Sequence, residues 1–301
     1  MASVRMERGD HGEAAVPGHA YYGIRTLRAM ARMPDTGRRY KDDLLVAMGA
    51  LKKCAAETES GRLPPRVGAL IERAAQEIID GRWHDQFAFE PRRCGGGELL
   101  SVNVNEVLVN RTLELMGEDK GSYHILGVDW HADDPLYPNR FFTAAFQLAA
   151  MRFLQTMKRL LLAIPNGVRE GIATELESLE QRLCVVNREH FDAKFAAKLS
   201  DVTGYPLRAG SFGHEFSESV PDRIAAAMKS SLSKLELAHH RFDSIELKAS
   251  LIQVSAFRDM IAFVSRSGFA SQGMEEVAAY YAWQCMELCG ESLLQVGEVY
   301  R

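Results

Sequence analysis

The chain has 301 residues, 47% of them hydrophobic and 25% charged, with a formal net charge of -4. Such values fit one large or two smaller globular domains, and the dispersed basic residues leave no nucleic-acid footprint. No run of 18 apolar residues is present, so no membrane span is expected. The first ten residues are polar, without the apolar core of a signal peptide, which makes a cytoplasmic location the default expectation.

Prolines punctuate the chain and leave 166–205 and 222–301 without any. Residues 41–58 place Leu44, Leu45, Met48 and Leu51 at helical spacing, and 67–80 do the same with Leu70, Ile71, Ala74, Ala75 and Ile78. Pro64-Pro65 separates the two, which predicts a helical hairpin. Residues 83–100 read as a loop with at most a short extended piece. Its Gly95-Gly96-Gly97 precedes a helix from about 102 to 116. A helix N-terminus after glycines is either a plausible anion site or the end of a flexible loop.

Asn103, Asn105 and Glu106 stand among apolar residues at the start of that helix. Buried carboxamides and carboxylates are costly unless hydrogen-bonded, so such a cluster fixes a loop or a site. A largely apolar helix is expected over 141–164, central in a bundle. One helix is expected over 168–199 and another from 222, carrying Ile224, Met228, Leu232, Leu235, Phe242 and Ile245. Gly268 and Gly273 precede a last helix over 274–299. No useful strand-period alternation is found. The class expected is all-α, with a small N-terminal helical domain over 1–140 and a bundle of long antiparallel helices over 141–301.

The five cysteines, Cys54, Cys94, Cys184, Cys285 and Cys289, are odd in number and scattered. Cys285 and Cys289 sit at i,i+4 but lack a matching histidine pair, so they read as small buried hydrophobes rather than metal ligands. Neither a metal nor a cofactor is implied.

Three blocks resemble the aspartase/fumarase superfamily. The first is Val16-Pro-Gly-His-Ala-Tyr-Tyr-Gly-Ile-Arg-Thr-Leu-Arg-Ala29. The second is His84-Asp-Gln-Phe87 with the glycine triplet and the run Ser101–Gly117. The third, weaker, is Lys198-Leu-Ser-Asp-Val-Thr-Gly-Tyr-Pro206. The resemblance implies a fumarase/aspartase-like fold, a homotetramer, and reversible elimination from a succinate-type substrate. That chemistry needs hydroxyl, amide and cationic donors around a dianionic intermediate.

Against that pattern the site segments depart. The family's Gly-Thr-Ser aligns with Gly97-Glu98-Leu99, where Glu98 repels a carboxylate and Leu99 offers no donor. The segment Ser-Ser/Thr-Asn-Asp aligns with Tyr137-Pro138-Asn139-Arg140, and His131 matches a family histidine. Neither the third segment nor the lysine-bearing mobile loop has a counterpart. The chain ends inside what the resemblance makes a bundle helix, so the fold expected is a truncated one.

Plain fumarate-forming chemistry is therefore not expected. The candidate catalytic residues are Glu98, His131 and Tyr137. The candidate substrate contacts are Asn103, Asn105, Asn139, Arg140 and Arg93. Two functions follow as alternatives. One is a repurposed lyase-scaffold enzyme acting by proton transfer on another small molecule. The other is an inactive homologue that is a structural or regulatory partner, for example of an active paralogue. A homo-oligomer is expected in either case, with no nucleic-acid or membrane partner.

Overall fold

The computed structural model describes residues 3–9, 11–33, 35–58, 63–87, 89, 98–129, 140–210, 219–238, 244–266 and 275–300, and helices dominate them. The all-α expectation holds. Two compact units divide the chain: residues 1–145 with 188–209, and residues 146–187 with 210–301.

The first unit opens with an antiparallel hairpin, β1 (Val4–Gly9) and β2 (Gly12–Pro17), in register from Val4 opposite Pro17 to Gly9 opposite Gly12. This corrects the reading that no strand pattern exists. The reason is an inverted alternation. Val4 and Met6 point outward, while the buried residue of β1 is the acidic Glu7. A period-2 search keyed to apolar residues cannot see such a strand.

Helix α1 (Ile24–Ala31) follows, then α2 (Asp42–Thr58) and α3 (Pro65–Ile79). Pro64 and Pro65 form the N-cap and first position of α3, where proline's missing N–H costs nothing. Helices α2 and α3 run antiparallel. A Cβ on Gly49 would stand 3.2 Å from the Ala75 carbonyl and 3.1 Å from Ile79, so only glycine allows this spacing without adjustment. Ala56, Ile71, Val109, Leu113 and Leu126 form a common apolar cluster, which ties the hairpin to α4 (Glu98–Met116). Helix α4 begins four residues earlier than its pattern suggests. It is apolar around most of its girth, with Leu100, Val104, Val107, Leu108, Val109 and Leu113 all inaccessible to solvent, as expected of a helix surrounded by protein.

The helix expected over 168–199 is two. Helix α6 (Asn166–Leu183), which follows α5 (Arg140–Leu160), stops at Cys184 and a short strand, Val185–Asn187. Gln147 donates its side-chain amide to the Leu183 carbonyl and, at 2.8 Å, to that of Val185. The freed carbonyls of the last turn thus gain a partner. A new start comes at Asp192, whose carboxylate accepts from the Phe195 N–H at 2.7 Å and caps α7 (Ala193–Thr203). Helix α7 packs on α2, and Lys198 pairs with Glu57.

The second unit is built on α8 (Val220–Ala238), α9 (Ile245–Arg266) and α10 (Glu275–Val299), which pack on one another, with α6 against α8. The single helix expected from 222 is therefore also two. Ser244 starts the second by accepting from the Leu247 N–H at 3.2 Å. Phe242, placed on that helix by its spacing, lies outside the described residues. Among the described residues no helix is long and apolar enough to cross a membrane.

Candidate functional site

Helix α4 carries Asn103, Glu106 and Asn110 at i, i+3 and i+7, a spacing that aligns side chains along one face. That face meets the stretch Tyr21–Thr26, and the contact explains why polar residues sit on so apolar a helix. Helix α1 has no acidic residue in its first turn, and its N-cap, Gly23, supplies no side-chain bond. Its first N–H groups would be orphaned. Two distant carboxylates satisfy them instead. Glu106 accepts from the N–H of Gly23 at 2.8 Å, Arg25 at 2.9 Å and Thr26 at 3.1 Å. Glu7 accepts from Ile24 N–H at 2.8 Å. Four consecutive amides at a helix N-terminus thus face two negative charges, the polarity the helix dipole favours.

Glu7 is balanced by Arg5, whose Nε donates to it at 2.7 Å. The remaining Arg5 donors go to the carbonyls of Pro17, Ala20 and Tyr22 at 2.7–3.0 Å. Burial pushes the Glu106 carboxyl above its usual range, against the pull of the N–H donors. Tyr123 donates to Glu7 at 3.1 Å, and its hydroxyl is held up by burial and then by the charges of Glu7 and Glu106. A Cβ on Gly23 would overlap both the Tyr123 hydroxyl and the Glu106 carboxylate, so this position admits glycine alone without rearrangement.

The network continues outward. Asn110 donates to the Tyr21 carbonyl at 2.8 Å and to Tyr123 at 3.0 Å, and accepts from Gly121 N–H at 2.7 Å. Gln86 accepts from Tyr21 N–H at 2.8 Å, and Asn103 donates to the Gln86 carbonyl at 3.2 Å. At the rim, Tyr21 donates to Glu114 at 2.6 Å, and Arg111 pairs with Glu114 and, through two bonds of 2.7 and 2.9 Å, with Glu77. Trp83 donates to Glu77 at 2.9 Å and lies 4.4 Å from the Tyr21 ring. It does so from a left-handed backbone, φ 64°, which a tryptophan adopts only under constraint. Burial, then Glu114, pushes the Tyr21 phenol up to about 12. Burial raises the Glu77 carboxyl, but hydrogen bonds from Arg111 and Trp83 outweigh it and leave the group below its ordinary value.

The structure therefore joins residues 16–29, 84–87 and 101–117, the first two blocks of resemblance, in one hydrogen-bonded brace. Of the candidate site residues, Asn103 and Asn105 are buried on α4. Asn103 spends its amide on the brace, while its Oδ1, the Oδ1 of Asn105 and the Oγ of Ser101 find no partner among the described residues. Glu98 is the first residue of α4, and its side chain lies outside the described residues. Arg140 is the first residue of α5. It donates to the His190 carbonyl at 3.4 Å and lies over the rings of Phe141 and Phe191, at 4.9 and 6.0 Å from their centroids. Arg93, His131, Tyr137 and Asn139 lie outside the described residues.

Reading the residues alone missed Glu7, Arg5, Gln86 and Tyr123 as members of the network. Only Asn110 carried a signal, the i+4 continuation of the polar face from Glu106. As built, the arrangement fixes backbone. The buried polar atoms it leaves over, on Ser101, Asn103 and Asn105, stand in the first two turns of α4.

No protein-family profile matches the chain. An aspartate ammonia-lyase from a Bacillus species is 40% identical over 156 residues, 51% of this chain and 33% of that relative. A class II fumarate hydratase from Brucella suis is 28% identical over 224 residues, 74% of this chain and 48% of that relative. The chain thus spans from a third to about half of the length of these curated relatives. The fold is that of a recombinant class II fumarase from Schistosoma mansoni, with a TM-score of 0.80 at 15% identity, covering 98% of this chain and 84% of that one. Similarity to both an aspartase and a fumarase, on a fold shared with a class II fumarase, makes the chain a divergent member of the aspartase/fumarase superfamily.

Proposed function

We propose that the chain is an enzyme on the lyase scaffold that carries out a proton-transfer-driven elimination, addition or rearrangement on a small molecule less anionic than aspartate or fumarate. One observation carries this reading: Ser101, Asn103 and Asn105 hold buried polar atoms without partners among the described residues, directly after Glu98-Leu99-Leu100. Buried acceptors left unpaired are rare and costly. A carboxamide oxygen only accepts, so it suits a ligand bearing N–H or O–H groups and not a carboxylate. In this reading Glu98 is the acid or base, assisted by His131 and Tyr137. Asn103, Asn105, Asn139, Arg93 and Arg140 contact the substrate.

Incubation in heavy water with aspartate, fumarate, asparagine and the monoamide of fumarate tests this. Deuterium uptake next to a carbonyl, or a change in double-bond absorbance, is expected only with the amides, and Glu98→Gln is expected to abolish it. Turnover of aspartate or fumarate would overturn the reading. The second reading, a catalytically inactive homologue that acts as a structural or regulatory partner, draws on a different observation. Glu106, Asn110 and the Asn103 amide are all spent on holding backbone. Silence across the whole panel would favour it.

A further inference from the structure

Helices α6 and α8 run antiparallel. Lys234 donates to the Gly171 carbonyl at 3.0 Å and to Glu175 at 2.9 Å, and Ser230 donates to Glu175 at 3.1 Å. Past these bonds the two helices leave a cavity of about 60 Å³, with Ser178 and Arg182 on the α6 wall and Arg223, Ala226 and Ala227 on the α8 wall. Spacing explains the walls. Glu175, Ser178 and Arg182 stand at i, i+3 and i+7 on α6, and Arg223, Ala227 and Ser230 at i, i+4 and i+7 on α8, so each set shares one face. Ala226 and Ala227 are too short to fill the gap. The space is enough for roughly four waters, or for one tetrahedral ion of similar bulk.

Charge on these walls is uneven. The acid that lines the cavity, Glu175, is already taken by Lys234 and Ser230. Glu180, two residues before Arg182, is taken by Lys158 and Gln155. Against Glu175 stand two guanidiniums. Arg182 makes no hydrogen bond or ion pair among the described residues, and Arg223 is only 6% exposed. Away from water a guanidinium holds an anion more strongly, because the field between them is less screened. Donors on two facing walls suit oxygens that diverge tetrahedrally. A planar carboxylate is satisfied by the fork of one arginine.

We propose that this cavity is a binding site for a small tetrahedral oxyanion of the inorganic phosphate type, which ties α6 to α8. It draws on no residue of the catalytic reading and is tested apart from it. Inorganic phosphate is titrated into the purified chain by calorimetry, with sodium chloride adjusted to hold ionic strength constant, and thermal unfolding is followed alongside. Saturable binding is expected, with an unfolding midpoint that rises with phosphate concentration. Arg182→Gln, at an exposed position, should weaken binding about tenfold, as the loss of a charged hydrogen-bonding partner does. Ala226→Leu fills the cavity and should abolish binding with helicity by circular dichroism unchanged. Arg169→Gln removes the same charge from α6 at a residue outside the cavity, one that bonds Asn166, and should leave binding as it was. Absence of saturable binding would overturn the proposal. So would binding that Arg182→Gln leaves intact, or that Arg169→Gln weakens equally, the mark of diffuse surface charge. Binding of glycerol phosphate without inorganic phosphate would overturn the free ion, and acetate competing as well as phosphate would overturn the tetrahedral fit.

Discussion

The two units bury different chemistry. In the first, Glu7, Lys52, Glu77, Gln86, Asn103, Asn105, Glu106 and Asn110 are buried with the apolar residues, whereas in the second the buried polar residues among those described are Gln147, Arg223, Ser231 and Ser292. The core of the second unit is mainly Leu, Ile, Met, Val, Ala and Cys on α5, α6, α8, α9 and α10. Apolar packing is tolerant, because any side chain of about the right volume and pattern serves. A hydrogen-bonded brace is not, because each donor needs a particular acceptor at a particular distance. The contrast gives a physical reason for where resemblance to the family lies. Its two specific blocks fall on the segments whose backbone Glu106, Asn110 and Gln86 hold.

The sharpest way to break this comparison is a pair of near-isosteric substitutions. Glu106→Gln keeps the shape but turns one acceptor into a donor facing the α1 amides, and should destabilise the first unit by about 2–3 kcal/mol in denaturant unfolding. Leu232→Met, in the core of the second, should cost less than about 1.5 kcal/mol. Equal effects would refute the contrast. Gly23→Ala should be next in size, about 1–3 kcal/mol, because the new Cβ has to displace the Tyr123 hydroxyl or the Glu106 carboxylate.

A third effect is one of pH. Glu77 titrates below its ordinary value in the folded chain, so the stability it contributes is complete above the unfolded carboxylate range. It is lost as pH falls from about 5 through the folded value. Glu106 has the opposite sign, since its folded value is raised: its ionisation costs stability above that value, and the cost is relieved as pH falls through it. Replacing Arg111 with Met removes the strongest of the groups that hold Glu77 down and should flatten the acid limb of the stability profile. Persistence of that limb would show that other carboxylates dominate it.

The smallest effect serves as a local readout. Burial pushes the thiols of Cys54 and Cys285 up to about 12, and that of buried Cys289 likewise. At pH 8 they should resist alkylation while half-buried Cys184 reacts. In Glu106→Gln, Cys54 labelling should accelerate and Cys289 labelling should not. Parallel acceleration would mean that the two units open together.

Much of the fold was legible in the residues. The α2–α3 hairpin followed from apolar spacing and Pro64-Pro65, and the last helix from its glycine-marked start. The breaks at 184–192 and 239–244 escaped, because neither contains proline or glycine. They are set by Asp192 and Ser244 as caps and by Gln147 reaching the end of α6. Asn103, Asn105 and Glu106 stood out as buried polar residues in need of partners, but the sequence held no sign of which partners.

What the sequence determined by itself is the all-α class, most helix positions and the presence of a polar cluster on α4, because spacing and local propensity act over a few residues. Only the tertiary structure decided that Glu106 and Glu7, distant along the chain, cap the same helix, and that a strand with an acidic inward face pairs at the N-terminus. Only there do Ile245, Ile252 and Phe263 of α9 show as exposed. Those outcomes depend on which groups meet across long stretches of chain, and a carboxylate or an isoleucine carries no local mark of the neighbour it will find.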